Sequence, residues 1–571
     1  MTTALDNFRS CMVTGLRVDK NADKLITVHA VTAVLWLAAG GVLALLLALS
    51  RWEAVGLITD SEWFYRIISA HGAMMLVFWI LFFEMAGLIF GGSILLNTRL
   101  RMPKLGWVVY VMMLLGSLGV AWTMLSGRAT VMFTAYPPLE ASPWFYGSLL
   151  IFAVGALLGV LHFLGNVVAA RIAGEVFTLP MFTFGLVAAA ILALFTLASG
   201  SAALIPTFFW SVGLLDSVDP GMYRLLFWGF GHGAQQVNLA AMVAIWYALA
   251  SLTVGAKPIN EGLSRLAFVL YILFIQMGSI HHILVDPGLG HWARGINASY
   301  FLYAAVIGSM IHAFTIPASI EAAQRENGIG KGLLGWLRSG PWSSPAFSGL
   351  ILSFALFGIL GGISGVIMGG IQVNIIAHNT LIVPAHFHMT VVAGTTLAFM
   401  AMSYILVPLI VKRDLFLPAV ARWQPWVYAV GMTIFGFGMG FAGHYGLPRR
   451  HFDIGFGGSP MANDIFADPM IGFTLAALGI GALIAITGGA MFIVVAAGTV
   501  FLGKRSDTPN IGPVSAAAFA PSEAEPIHVP VAGEAFQSPG TLFLAGFWLA
   551  VFVALYAWSW LELGDVGWMV G

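Results

Sequence analysis

The chain predicts an all-α polytopic membrane protein of about thirteen transmembrane helices, and three observations carry that expectation. Of 571 residues, 59% are hydrophobic and only 9% charged, with a mean hydropathy of +0.91. Soluble domains carry about 25% charged and about 45–50% apolar residues, so this chain is solvated largely by lipid. Apolar runs of roughly 20 residues or more, enough to cross a bilayer, recur along its whole length. Basic residues, finally, are unevenly shared between alternate loops.

The opening 25 residues are polar, mixed in charge and without an apolar h-region, so they are not read as a cleavable signal. The spans are then expected near 27–49, 63–97, 105–126, 146–171, 181–204, 222–253 and 264–283. They continue near 296–319, 345–369, 380–411, 423–445, 469–503 and 540–562. The second, sixth, tenth and twelfth are long enough to tilt or to run past the lipid. Pro384 falls inside the tenth, as buried membrane helices allow. Residues 504–538, rich in Pro, Ala and Glu, read as a cytoplasmic linker before a last, peripheral span. No internal repeat is visible, and 1–571 reads as one membrane-embedded domain.

With the N-terminus inside, the inner segments hold Arg9, Arg17, Lys20, Lys24, Arg99, Arg101, Lys104, Lys257, Arg265 and Arg325. They also hold Lys331, Arg338, Lys412, Arg413, Arg422, Lys504 and Arg505, against mainly Arg51, Arg128, Arg294, Arg449 and Arg450 outside. That asymmetry predicts a cytoplasmic N-terminus; the membrane is expected to be a bacterial or archaeal cytoplasmic one. Net charge is zero, which gives no reason to expect a nucleic-acid partner. Cys11 is the only cysteine, which excludes a disulfide framework, an iron–sulfur cluster and a cysteine-ligated copper centre within this chain.

Histidines carry the chemistry. His71, His232, the pair His281-His282, and His386 with His388 all fall in apolar stretches, where ionisable or metal-binding side chains are costly and point first to function. A lone membrane histidine such as His29, His162 or His312 is read as a hydrogen-bonded core residue, but six at these spacings are not. His386 and His388 stand about 200° apart on a helix, so one helix can ligate two haems, one on each face. His71 can supply a trans ligand to one iron, while the other iron keeps an open position. His281 and His282, about 100° apart, can turn toward one point, and His232 can complete a three-imidazole copper site.

An ordered set of segments then gives the resemblance. They are His71-Gly72, Tyr136-Pro137-Pro138-Leu139, Val218-Asp219-Pro220, Gly231-His232, His281-His282, Asp286-Pro287-Gly288, His378-Asn379-Thr380, His386-Phe387-His388 and Pro448-Arg449-Arg450. The chain resembles subunit I of the haem–copper oxidase superfamily over nearly its whole length, most of all its B-type oxygen reductases. The resemblance implies that His71 and His388 bind a low-spin haem, that His386 is the proximal ligand of a high-spin haem, and that His232, His281 and His282 bind the copper ion CuB. It implies that Arg449 and Arg450 neutralise haem propionates, as bidentate guanidinium groups suit carboxylates, with His378 and Asp286 in the same polar region. Asn374 stands where the B-type pattern has an aspartate.

One departure bears on the reaction. A- and B-type oxygen reductases carry a tyrosine one helical turn after the first CuB histidine, cross-linked to it; here that position is Gln236. C-type oxidases place theirs about six residues before the histidine pair, where this chain has Ile275, with Tyr271 further back. Splitting dioxygen in one step takes four electrons, one of them from that tyrosine. Coupling two nitric oxide molecules to nitrous oxide takes two electrons and two protons. Gln236 shares a helix face with His232, and an amide there can hydrogen-bond charge developing on a bound gas. Familiar nitric oxide reductases place glutamates near a non-haem iron, but no carboxylate adjoins these histidines in sequence, so the expected metal is copper.

The first expectation is therefore a nitric oxide reductase on a B-type frame, with Gln236, His232 and His386 at the reaction. The alternative is a terminal oxygen reductase without the usual tyrosine, with possible proton pumping. A third reading, a transporter or gas-sensing haem protein, is disfavoured by the full set of six ligands. Tyr247, with Asn297, Ser299 and Tyr300, matches the B-type proton path. Glu84 is a membrane carboxylate about 220° around its helix from His71 and without an assigned role. Lacking a CuA centre and covalent haem c, the chain is expected to rely on a second subunit for electron entry, fed by cytochrome c or a cupredoxin, with quinol as the other possibility.

Overall fold

The computed structural model describes residues 7–52, 54–274, 276–455, 466–511 and 538–564. Among them, twelve helices are long and apolar enough to cross a membrane. In chain order, with one shorter helix, they are α1 (Lys20–Arg51), α2 (Ser61–Ile94), α3 (Pro103–Leu125), α4 (Pro143–Ile172), α5 (Met181–Ser211), α6 (Pro220–Val254) and α7 (Glu261–Phe274). There follow α8 (His291–Glu326), α9 (Pro345–Gly369), α10 (Ile382–Val411), α11 (Pro418–His444), α12 (Pro469–Phe501) and α13 (Pro539–Gly564). All thirteen expected segments are helical. The difference lies in the seventh, where α7 gives way to a 3-10 segment, Gln276–Ile283, that carries the histidine pair. Ile275 lies outside the described residues.

Helix starts follow local chemistry. Asp19, Asp219 and Asp468 accept backbone N–H bonds at the N-caps of α1, α6 and α12, and proline opens α3, α4, α6, α9, α11 and α12, where a missing N–H costs nothing. α3 packs along α4, α5 along α6, and α11 along α12. Between α11 and α12 the contact is made through Gly431, Gly481 and Gly488, where any side chain would run into the facing backbone. Small residues at such a seam let membrane helices approach closely, since no hydrophobic drive favours helix over lipid.

Several helices loosen into π turns: Met74–Phe78 in α2, Leu356–Gly362 in α9 and His388–Thr395 in α10. Each begins at, follows or faces a predicted haem ligand, a frequent setting for π segments. Pro384 sits in the first turn of α10, where it breaks no helical hydrogen bond of its own. A short antiparallel hairpin, β1 (Phe8–Ser10) with β2 (Arg17–Asp19), precedes α1 in register Phe8↔Asp19. The expected linker 504–538 falls mostly outside the described residues; its beginning is tied to the α10–α11 loop by Lys412–Asp507 at 3.0 Å. α13 is largely unburied, and Glu321 of α8 anchors its start by accepting from Gly540 N (2.9 Å) and Thr541 N (2.6 Å).

Candidate metal centre

The tertiary fold brings α2 and α10 together so that the rings of His71 and His388 face each other, 6.4 Å apart and 14° from parallel. His71 Nδ1 donates to the Gly40 carbonyl of α1 (3.1 Å), and His388 Nδ1 to the Pro384 carbonyl (2.7 Å). Each bond fixes the tautomer that leaves Nε2 as the free lone pair, as metal-binding histidines usually require. A single iron bonded at about 2 Å to each nitrogen fits between two rings at this spacing, once the half-width of each ring is added. The pair would hold a haem between α2 and α10.

His386, two residues earlier, points elsewhere. Its Nδ1 is 3.1 Å from the Gly361 carbonyl and 3.1 Å from Ser364 Oγ, both on α9. Gly365 permits the approach: a Cβ there would lie 2.7 Å from His386 Cε1. Across the same space, His232 of α6 meets His281 and His282 of the 3-10 segment, with one ligand nitrogen from each within 4.8 Å of the others. His232 Nδ1 lies 3.1 Å from His282 Nε2, Trp228 stacks on His282 at 4.0 Å, and His281 Nδ1 is buried without a partner. Three converging imidazoles suit one transition-metal ion.

All six histidines line one cavity of ≈ 950 Å³, with Gln235, Gln236, Arg449 and Arg450 among the other lining residues. That is near the upper limit for a ligand site. At one end Arg449 holds Asn379 through its main chain (2.8 Å) and guanidinium (3.1 Å), and Arg224 pairs with Asp286 at 3.1 Å. Arg224 and Arg450 also sit over the Tyr136 ring. Burial pushes Arg449 down to about 9, helped by the neighbouring Arg450. Burial likewise pushes His378 down to about 4, with Arg449, Arg224 and Arg450 adding to it, so His378 is neutral at pH 7. Burial raises the Asp286 carboxyl, and the arginines around it oppose that rise. Arg224, Arg294 and Arg449 thus act on the Asp286 carboxylate with Arg450 nearby, an excess of positive charge among the described residues here that would suit the propionates of a haem.

Gln236 lies where the helical spacing puts it, its Nε2 3.2 Å from His232 Nε2. Its Oε1 is buried and unpartnered. Asn374 Nδ2 donates to the His281 carbonyl (3.2 Å), so an amide supports the backbone of the histidine pair. The cavity is also lined by Tyr271 and Tyr428, but their hydroxyls bond Ser309 Oγ (3.0 Å) and the Val392 carbonyl (2.7 Å). Among the described residues no tyrosine hydroxyl bonds the three-histidine cluster.

The residues of the expected proton path fall into two separate groups. Tyr247 is the centre of a buried network, with its hydroxyl 2.9 Å from Ser264 Oγ, 2.8 Å from Thr315 Oγ1 and 3.0 Å from His312 Nδ1. Asn297, Ser299 and Tyr300 do not join it. They occupy a π turn at the far end of α8, with Tyr300 76% exposed and Ser299 bonded to the Gly295 carbonyl. Sequence reasoning missed Ser309, His312 and Thr315, although their i, i+3, i+6 spacing marks one polar face on an apolar helix. His312 belongs to this network as well as to the core; His29 and His162 keep the expected backbone bonds, to Leu25 and Arg101.

A membrane bundle holding a paired-imidazole site, a single-imidazole site and a three-imidazole site in one cavity defines a class: haem- and copper-dependent membrane oxidoreductases. Comparison with known proteins names the family. The profile described as "Cytochrome C and Quinol oxidase polypeptide I" matches residues 24–479. Cytochrome c oxidase subunit 1 of Thermus thermophilus is 32% identical over 401 residues, 68% of this chain and 69% of that protein. Alternative cytochrome c oxidase subunit 1 of Bradyrhizobium diazoefficiens is 23% identical over 438 residues, 69% of each. A solved heme-copper terminal oxidase dimer superposes with a TM-score of 0.80 at 24% identity, covering 95% of this chain and 92% of that one. The chain belongs to the haem–copper oxidase family and is its catalytic subunit I.

Proposed function

We propose that this subunit reduces nitric oxide to nitrous oxide: two nitric oxide molecules, two electrons and two protons give nitrous oxide and water. The observation that carries the reading is the Gln236 amide 3.2 Å from His232, with no described tyrosine hydroxyl at that position. A low-spin haem held by His71 and His388, a high-spin haem held by His386 and copper held by His232, His281 and His282 supply, when bound, the redox chemistry. Gln236 keeps one amide hydrogen free to donate to negative charge developing on nitrogen and oxygen in a water-poor cavity. The apolar walls admit a small neutral gas. Tyr247, Ser264, Thr315 and His312 form a hydroxyl–imidazole chain able to pass protons, while Arg449 and Arg450 hold the propionates.

A second reading, reduction of dioxygen to water with possible proton pumping, is favoured by the relatives, which are cytochrome c oxidase subunits. Electron entry is assigned to a second subunit, fed by cytochrome c or a cupredoxin, or by quinol. The setting is a bacterial or archaeal cytoplasmic membrane with the N-terminus inside and 1–571 as one domain.

The deciding experiment is anaerobic turnover of the purified complex with nitric oxide and a chemical electron donor, nitrous oxide being quantified. The expected result is one nitrous oxide per two nitric oxide consumed. Negligible nitrous oxide from an enzyme with full haem and copper content refutes the nitric oxide reading and leaves oxygen reduction.

A further inference from the structure

Two buried polar groups belong neither to the ligand set nor to the Tyr247 chain. Glu84 on α2 is 7% exposed and Asn238 on α6 is 1% exposed. With its amide oriented by its partners, Asn238 donates to Glu84 Oε1 at 3.0 Å and to the Ala234 carbonyl at 3.2 Å. Among the described residues no cation pairs with Glu84. A carboxyl group kept at this depth without a cation is first a candidate for proton traffic.

Its surroundings point two ways. Toward the cavity, Gln235 lies three residues before Asn238 on the same side of α6. Gln235 lines the cavity, and its Oε1 is buried with no partner. In the other direction, Leu88 lies one turn beyond Glu84 on the same face of α2 and borders a void of ≈ 20 Å³ shared with His29 and Asn166. His29 Nε2 is buried and unpartnered, so a void with room for about one water has polar groups to hold it. Asn166 accepts from Arg101 N at 2.7 Å, and Arg101 pairs with Glu175 at 2.9 Å at the protein surface.

We propose that Glu84 is a proton-carrying residue that serves the cavity by a route separate from the Tyr247 chain. The O–H bond of its carboxyl group breaks, and the proton moves along water bonded to Asn238 and Gln235 to the oxygen of the substrate being reduced. A second proton, entering from the Arg101 side past Asn166 and His29, reloads it. The electrons are those of the reduction itself. The proposal rests on a proton-consuming reduction in the cavity, whichever gas is the substrate.

The test is Glu84→Gln in the whole purified complex. Glutamine preserves shape and the hydrogen bond to Asn238, so a purely structural role would leave this variant at full rate. The expected result is turnover lower by about 10²-fold, the scale of a lost proton-transfer group, with haem spectra and copper content unchanged. Proton uptake per electron, followed with a pH-indicator dye in a single turnover, should slow equally. Redox-difference infrared spectra of the wild type should contain a carboxylic-acid C=O band that shifts in D₂O and vanishes in the variant. Wild-type uptake kinetics in Glu84→Gln, or no such band in the wild type, overturns the proposal. Should that variant fail to assemble, Gln235→Leu breaks the route at the cavity, and unchanged uptake there overturns it equally. Because uptake is counted with either nitric oxide or dioxygen, a wild type that makes no nitrous oxide refutes the earlier reading and leaves this test intact.

Discussion

The His71–His388 pair and the His232–His281–His282 cluster are both built from buried imidazoles, yet they are held in opposite ways. In the pair, each Nδ1 is tied to a main-chain carbonyl and the rings lie 14° from parallel, an arrangement that would hold one haem between them. In the cluster, the His232 and His281 rings stand at 89° to each other, two of the ligands ride on a 3-10 segment, and one nitrogen has no partner. A closed, pre-oriented site changes little when an electron arrives, which suits transfer. An open site with a polar neighbour suits binding and reaction. The difference in how each histidine is supported fits the division of labour proposed above.

Removing a ligand from either site tests that division most severely. His282→Ala is expected to abolish copper retention and turnover together while the low-spin haem spectrum stays as in the wild type. Metal analysis and optical spectra check both halves. His71→Leu should do the reverse: loss of the six-coordinate spectrum with copper retained. Copper lost in both variants would mean that the two sites are one cooperative unit.

Next in size is Gln236→Leu, which removes the polar neighbour that sets the open site apart. The expected loss is about 10²–10³-fold in turnover, as for removal of a preorganised hydrogen-bond donor, with both haems and copper in place. An unchanged turnover would make Gln236 a packing residue beside His232. Tyr247→Phe deletes the hydroxyl common to three hydrogen bonds and is expected to lower turnover by about 10²-fold. Its effect should appear in proton uptake and not in the rate of electron transfer to the low-spin haem.

Much of this was legible in the sequence because membrane burial makes polar residues conspicuous. The spans could be counted from apolar length, and His232 with Gln236 could be placed on one face from helical spacing alone. The break in α7 could not, because a 3-10 segment leaves no composition signal distinct from an apolar helix. Nor could composition tell which polar group of α8 packs beside Tyr247: Asn297, Ser299 and Tyr300 are as polar as Ser309, His312 and Thr315. Only the packing of α8 against α6 and α7 says which group reaches Tyr247. The closeness of Asn238 to Glu84 likewise joins two helices that sequence spacing cannot relate.

The smallest expected effect concerns the third site, His386, which is intermediate between the two. Ser364 Oγ lies 2.6 Å from the Leu360 carbonyl, to which it donates, so it accepts from His386 Nδ1, and that N–H is shared with the Gly361 carbonyl. Ser364→Ala leaves one acceptor in place of two, and the imidazole becomes a slightly weaker electron donor to the metal it binds. Loss of an outer partner costs roughly 10- to 100-fold, and the remaining carbonyl keeps this case near the lower end. Resonance Raman spectroscopy of the reduced enzyme should find the iron–histidine stretch at lower frequency in Ser364→Ala, with haem content unchanged. An unmoved frequency would mean that the Gly361 carbonyl alone sets the ring, making His386 as rigidly tied to the main chain as His71 and His388.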